Sequence, residues 1–167
     1  SVITFAGTLA EVVEGAVRGA RAAQQAIDLT RHQGAHPRMG ATDVVPFIPL
    51  GTATMADAVK AAEQAAARIA AELEIPTFLY GEAARTPARR DLAWVRKGEF
   101  EGLREAVPSD PERVPDFGPR RLHPTAGASA VGARFFLIAY NVNLATRDLG
   151  VAKAIAKAIR EKDGGLP

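Results

Sequence analysis

Apolar residues recur at helical intervals near the start of the chain, with Val13, Ala16, Ala20, Ala23 and Ile27 on one face. Ahead of them Thr8 and Glu11 spell a T-x-x-E capping box, whose side chains satisfy free backbone N–H groups reciprocally. A helix is therefore predicted from Thr8 to a point before Gly34. The same spacing returns in Val59, Ala62, Ala66, Ile69 and Leu73, behind a capping Thr54. Both stripes are mostly alanine, which costs little side-chain entropy and lets a helix lie close to a sheet. Between them residues 44–50 read as a strand. Its Pro46 and Pro49 donate nothing to a ladder, which puts it at an edge or a bulge. Residues 77–80 form a short strand ending at Gly81, and Thr86-Pro87 is a helix opening. The proline-punctuated stretch 99–119 is predicted to wander over the surface. Residues 134–144 carry the clearest strand pattern, and Thr146 caps a last helix through Arg160, closed by Gly164 and Gly165.

Strands alternating with helices indicate an α/β or α+β layer fold. The chain has 167 residues, enough to bury a core without staples. With 47% hydrophobic and 24% charged residues it has a globular balance rather than a disordered one. It has no cysteine, which excludes disulfides, thiolate metal ligands and a cysteine nucleophile. A net charge of +2 argues for neither a nucleic-acid nor a membrane partner, and no apolar run is long enough to span a bilayer. Residues 1–5 read as the body of a strand rather than a charged leader, so a cytoplasmic location is the expectation. The chain opens inside that strand-like run and stops at Gly164-Gly165-Leu166-Pro167, where another strand would usually follow; both ends read as those of a fragment.

There are three histidines. His32 and His36 have the four-residue spacing that suits a metal on a helix. Gly34 lies between them, however, and Pro37 pushes His36 toward an extended conformation, so their rings should not share a helical face. His36, in Gly34-Ala35-His36-Pro37-Arg38-Met39-Gly40, sits in a loop near a helix end, and imidazole is the side-chain type best suited to accept a proton at physiological pH, as a general base must. From the local sequence alone, a surface histidine in a tight turn is the favoured reading. Arginines gather in the connections: Arg31 and Arg38, then Arg85, Arg89 and Arg90, then Arg120 and Arg121. Their forks match carboxylates, or they line a solvated surface. Residues 120–132 resemble a ligand-cradling loop, without the pattern of a phosphate loop, and also read as a domain linker. In the strand expected from Arg134, one face turns polar at Asn141 and Asn143, as a surface or a polar cleft would.

Four stretches, in order, carry a resemblance. They are Leu29-Thr30-Arg31-His32-Gln33-Gly34-Ala35-His36-Pro37-Arg38-Met39-Gly40-Ala41-Thr42-Asp43-Val44-Val45-Pro46-Phe47-Ile48-Pro49, then Tyr80-Gly81-Glu82-Ala83-Ala84-Arg85, Pro115-Asp116-Phe117-Gly118-Pro119 and Tyr140-Asn141-Val142-Asn143-Leu144. Together they resemble the glutamate formiminotransferase family, in its bacterial form. The resemblance implies a mixed β-sheet flanked by helices, with residues 1–132 as the N-terminal subdomain and residues 133–167 as the beginning of the C-terminal one. It implies transfer of a formimino group between N-formimino-L-glutamate and tetrahydrofolate in histidine degradation, with His36 as general base. Tetrahydrofolate is then a co-substrate, held in a tunnel between two subdomains along Gly118, Pro119, Arg120, Arg121, Leu122, His123, Pro124, Thr125, Ala126 and Gly127. Arg38 and Arg121 are the first choices for the carboxylates of glutamate and of the folate tail. No metal is implied, the partners are small molecules, and a homodimer is suggested.

Against the family pattern the chain lacks the opening of the first subdomain and most of the second. Part of the tunnel wall is then absent, and the chain alone is expected to turn over poorly. Three alternatives stay open: formyl rather than formimino transfer, a non-catalytic folate- or partner-binding module, and a metal hydrolase built on His32, His36 and His123.

Overall fold

The computed structural model describes residues 1–34, 36–138 and 142–159. They fall into two compact units, Ser1–Phe136 and Leu137–Pro167. The first contains helices α1 (Leu9–Ala26), α2 (Met55–Leu73), α3 (Leu92–Arg96) and α4 (Glu99–Ser109), and strands β1 (Val44–Phe47), β2 (Thr77–Gly81) and β3 (Ser129–Ala133). The strands form one sheet in the order β1-β3-β2, parallel at both pairings. Antiparallel pairing among the described residues is confined to isolated bridges such as Gly40 with Gly127. The expected α/β layering is present.

Side-chain alternation along the strands divides the core into two layers. Leu79, Val131 and Ala133 join Val13, Val17, Ala62, Ala66 and Ile69 on one face, where α1 and α2 pack. Phe78, Tyr80 and Ala130 face Val95, Phe100, Leu103 and Val107 of α3 and α4 on the other. The capping signals act as written: the Glu11 carboxylate accepts the Thr8 backbone N–H at 2.8 Å. At α2, Thr54 and Asp57 bond reciprocally, at 2.8 and 3.2 Å. The alanine stripes bring α1 and α2 together closely enough for ion pairs at their rim, Arg21 with Glu72 at 2.7 Å and Arg68 with Glu14 at 2.8 Å.

Several expectations need correction. Residues 99–109 do not wander: α4 buries Phe100, Leu103 and Val107, and Pro108 is tolerated in its last turn. The helix opened at Thr86-Pro87 is a single 3₁₀ turn, Pro87–Arg90. Strand β1 stops at Phe47 rather than residue 50, and lies at an edge of the described sheet as its prolines require. The strand that crosses the sheet is Ser129–Ala133, ahead of the run expected to form it. Arg134 N–H donates to Phe47 O at 3.1 Å, but residues 135–138 join no described strand, and Leu137 and Ile138 are 74% and 86% exposed. A strand is stable only when its backbone groups are paired, and past Arg134 no described strand pairs with them. The same holds for residues 1–5, with Val2 and Ile3 exposed. In the second unit, α5 (Leu149–Ile159) is capped by Asp148, which accepts the Gly150 N–H at 2.7 Å. Thr146 acts one step upstream, accepting from Asp148 N–H at 3.1 Å. Arg160, Gly164 and Gly165, expected to end this helix, lie outside the described residues, as do Tyr140 and Asn141.

Candidate active site

Two loops meet beside the end of the sheet. One joins α1 to β1 and carries His36; the other precedes β3 and carries residues 118–127. Leu29 N–H donates to Thr125 O at 2.8 Å, Ala41 N–H to Ala126 O at 2.9 Å, and Ala128 N–H to Met39 O at 3.0 Å. Gly40 and Gly127 face each other at the crossing. A Cβ on Gly40 would strike the Ala128 carbonyl, and one on Gly127, which has φ +70°, would strike the Met39 carbonyl. Glycine at both positions lets the two backbones touch. The segments that sequence motifs single out are therefore adjacent.

His36 is exposed, with its Nδ1 2.9 Å from the Pro37 carbonyl oxygen. A carbonyl only accepts, so in the neutral ring the proton sits on Nδ1 and Nε2 keeps a free lone pair. The same carbonyl accepts from Arg96 Nη2. That nitrogen also donates to Asp43 Oδ2 at 2.5 Å, and Asp43 Oδ1 accepts the Met39 N–H at 2.8 Å. Nothing in the local sequence marks Arg96, whose role appears only when α3 is brought against the loop.

Arg38 lies on the wall of a cleft of about 520 Å³, with Thr30, His32, Gly34, Phe100 and Arg104. Its Nη1 and Nη2 donate to the two Glu101 carboxylate oxygens at 2.8 and 2.7 Å. This paired fork holds the Glu101 carboxyl below its usual range and raises the Arg38 guanidinium. Arg38 is thus already seated on a carboxylate supplied by its own chain.

The segment 118–127 divides by direction. Gly118, Arg120, Arg121 and Pro124 face solvent, while Pro119 and Thr125 are half-buried. Leu122, Ala126 and Gly127 are buried in the fold. Arg120 Nε donates to Val107 O at 3.2 Å. His123 is half-buried, and its Nδ1 accepts Ala126 N–H at 3.0 Å with Thr125 N–H at 3.3 Å. Gln24 Nε2 stands 3.0 Å from its Nε2. Burial pushes the ring's pKa down; Nδ1 is taken up by the backbone N–H groups it accepts, so the neutral ring carries its proton on Nε2 beside the Gln24 amide and a second proton has no place on Nδ1. His123 is engaged within the protein on both ring nitrogens. Among the described residues no three His, Asp or Glu side chains converge as metal ligands would.

Arg85, Arg89 and Arg90 are engaged within the fold, whereas Arg31 and Arg121 are exposed. Asp116 Oδ2 accepts from Arg89 Nη1 and from Leu79 N–H, each at 2.7 Å, tying the connection after α4 to β2. Arg85 lies over the Phe117 ring at 4.7 Å, and Arg90 pairs with Glu82 at 2.7 Å. The motif around Asp116 therefore does structural work. That around Tyr140 lies partly outside the described residues.

The chain is similar to known proteins over nearly its whole length. The family model for the formiminotransferase domain, N-terminal subdomain, matches residues 1–134. The glutamate formimidoyltransferase of Streptococcus pyogenes serotype M1 is 48% identical over 165 residues, covering 99% of this chain and 55% of that protein. That of Thermoplasma acidophilum is 49% identical over 168 residues, again covering 99% and 55%. The formimidoyltransferase-cyclodeaminase of Sus scrofa is 49% identical over 166 residues, covering 99% of this chain and 30% of its own length. The chain thus spans about half the length of the bacterial and archaeal relatives, and less of the animal one.

Proposed function

Because the chain belongs to the formiminotransferase family, through the N-terminal subdomain of its domain, we propose that it carries the base for formimino transfer between N-formimino-L-glutamate and tetrahydrofolate. In this reading residues 1–132 are the N-terminal subdomain and residues 133–167 open the second. Folate N5 attacks the formimino carbon, and the new C–N bond forms as N5 gives up its proton. The unprotonated Nε2 of His36 takes that proton and returns it to the glutamate nitrogen, whose bond to the formimino carbon then breaks. A positioned base of this kind contributes on the order of a hundred- to ten-thousand-fold. The single observation that carries the reading is the Pro37 carbonyl beside Nδ1, which leaves Nε2 free on an exposed ring of the loop whose Gly40 crosses Gly127.

The outward residues of segment 118–127 supply contacts to the folate. Arg121 is exposed and offers its fork to the carboxylate tail. Arg38 receives the glutamate carboxylate by exchange with Glu101, whose side chain is 64% exposed and free to swing away. The test is replacement of His36 by alanine, with formimino transfer followed by the absorbance of the folate product. It is run in this chain and in a longer chain completed with the remaining segments of the Streptococcus pyogenes relative. Turnover should collapse while reduced-folate binding persists; an unchanged rate removes His36 from the mechanism. Binding of reduced folate by the 167-residue chain without turnover would favour the binding-module reading instead.

A further inference from the structure

We propose that Arg96, oriented by Asp43, is a positioning residue that sets the tautomer of His36 through the Pro37 carbonyl. The inference rests on the reading of His36 as a base and deepens it. His36 has no buried wall to hold its ring; its described contact is the oxygen of the next residue. Proline has no N–H, so the Pro37 unit cannot be pinned through its own nitrogen. It is pinned through its oxygen instead, by Arg96. A carbonyl has two lone pairs, and here one takes the guanidinium and the other takes the imidazole Nδ1–H.

Arg96 is in turn held. It is the last residue of α3, and its Nη2 shares its donors between Pro37 O and Asp43 Oδ2. Asp43 is fastened on two sides: Oδ1 takes Met39 N–H at 2.8 Å, and its carbonyl takes Ala130 N–H from β3 at 3.0 Å. Arg96 and Asp43 are 18% and 23% exposed in their side chains, so the pair is largely shielded from water. The chain of contacts runs from the central strand to Asp43, to Arg96, to the Pro37 carbonyl, to Nδ1. At its far end, Nε2 is left as the basic nitrogen. In other metal-free and metal-bound imidazoles the hydrogen bond on one nitrogen decides the chemistry of the other, and the same rule applies here. Without Arg96 the Pro37 carbonyl loses its cationic partner, the peptide unit is left with the long Arg38 N–H bond to Glu99 at 3.4 Å, and the exposed ring relaxes toward the Nε2–H form that imidazole prefers in water. That form has no base facing outward.

The experiment is long-range ¹H–¹⁵N correlation of the histidine rings in the ¹⁵N-labelled 167-residue chain, at about pH 8.5, where imidazoles are neutral. Wild type should show His36 protonated on Nδ1. Arg96→Gln should move it to a population mostly protonated on Nε2, with the Gly40 and Gly127 amide signals unshifted as proof that the loop crossing survives. If Arg96→Gln fails to fold, Asp43→Asn serves: it keeps an acceptor for Met39 N–H, removes the charge that orients Arg96, and should shift the tautomer in the same direction. A wild-type ring protonated on Nε2, or a tautomer that ignores the substitution, overturns the proposal. Because the readout needs neither substrate nor turnover, its failure is distinct from a failure of His36 as base, which only the alanine variant's rate reports.

Discussion

His36 and His123 are both followed by proline, yet the two His-Pro steps do opposite things. At His36 the ring is outside, touched by one acceptor, and keeps a nitrogen free. At His123 the ring is drawn in, its Nδ1 accepting from the Thr125 and Ala126 N–H groups and its Nε2 set against the Gln24 amide. The first is arranged to exchange protons; the second holds a loop together. The dipeptide does not distinguish a base from a brace. The distinction lies in what meets Nδ1, a carbonyl at His36 and backbone N–H groups at His123, with remote segments behind each: Arg96 of α3 on the Pro37 carbonyl and Gln24 of α1 beside the His123 Nε2.

The comparison is broken most directly by truncating each ring. His36→Ala should lower formimino transfer by about a hundred- to ten-thousand-fold and leave the urea midpoint within error, because an exposed loop side chain contributes little to stability. Next in size is the crossing that places both loops. Gly127→Ala should cost about 2–3 kcal/mol, because it adds a Cβ at positive φ against the Met39 carbonyl, and equilibrium urea unfolding would measure it. Should stability hold, the two backbones are not in contact as described. His123→Ala should cost about 1–3 kcal/mol by stranding the N–H groups it accepts, and removes rate only in proportion to unfolded protein. A rate loss larger than that would make His123 part of the chemistry.

The smallest effect is one of pH. Burial lowers the His123 pKa in the folded chain. The unfolded chain therefore takes up a proton as pH falls through about 6.5 while the folded chain resists. Stability is full above about 6.5 and declines as pH drops below it. Between about pH 6.5 and 5 the wild-type urea midpoint should fall and that of His123→Gln should stay flat, before the carboxylates begin to titrate near 4.5.

The two alanine helices were legible because their signals are local: a threonine cap with an acid three residues on, then a stripe of period 3.6. Strand β3 was not. Ser-Ala-Val-Gly-Ala is buried on both faces, so it shows no alternation, and its small residues leave room for the Tyr80 ring over Gly132. The alternating run after it looked stronger but past Arg134 joins no described strand. Helix α4 was hidden by Pro108, although Phe100, Leu103 and Val107 repeat at helical spacing. At the site, the proline-fixed loop around His36 could be read from its own residues, and its adjacency to segment 118–127 followed only from family resemblance. Arg96 could not be read at all, because its partners Pro37 and Asp43 are brought to it only by folding.

The order of the strands has a kinetic consequence. The middle strand of the sheet is the last of the three to be made, and the two earlier strands touch it rather than each other. Among the described strands, β1 and β2 have no ladder with each other, so their pairing with this sheet begins only when Ser129–Ala133 has emerged from the ribosome. Until then the alanine helices are free to zip and the sheet is not, so closure of the whole layer waits on one five-residue stretch.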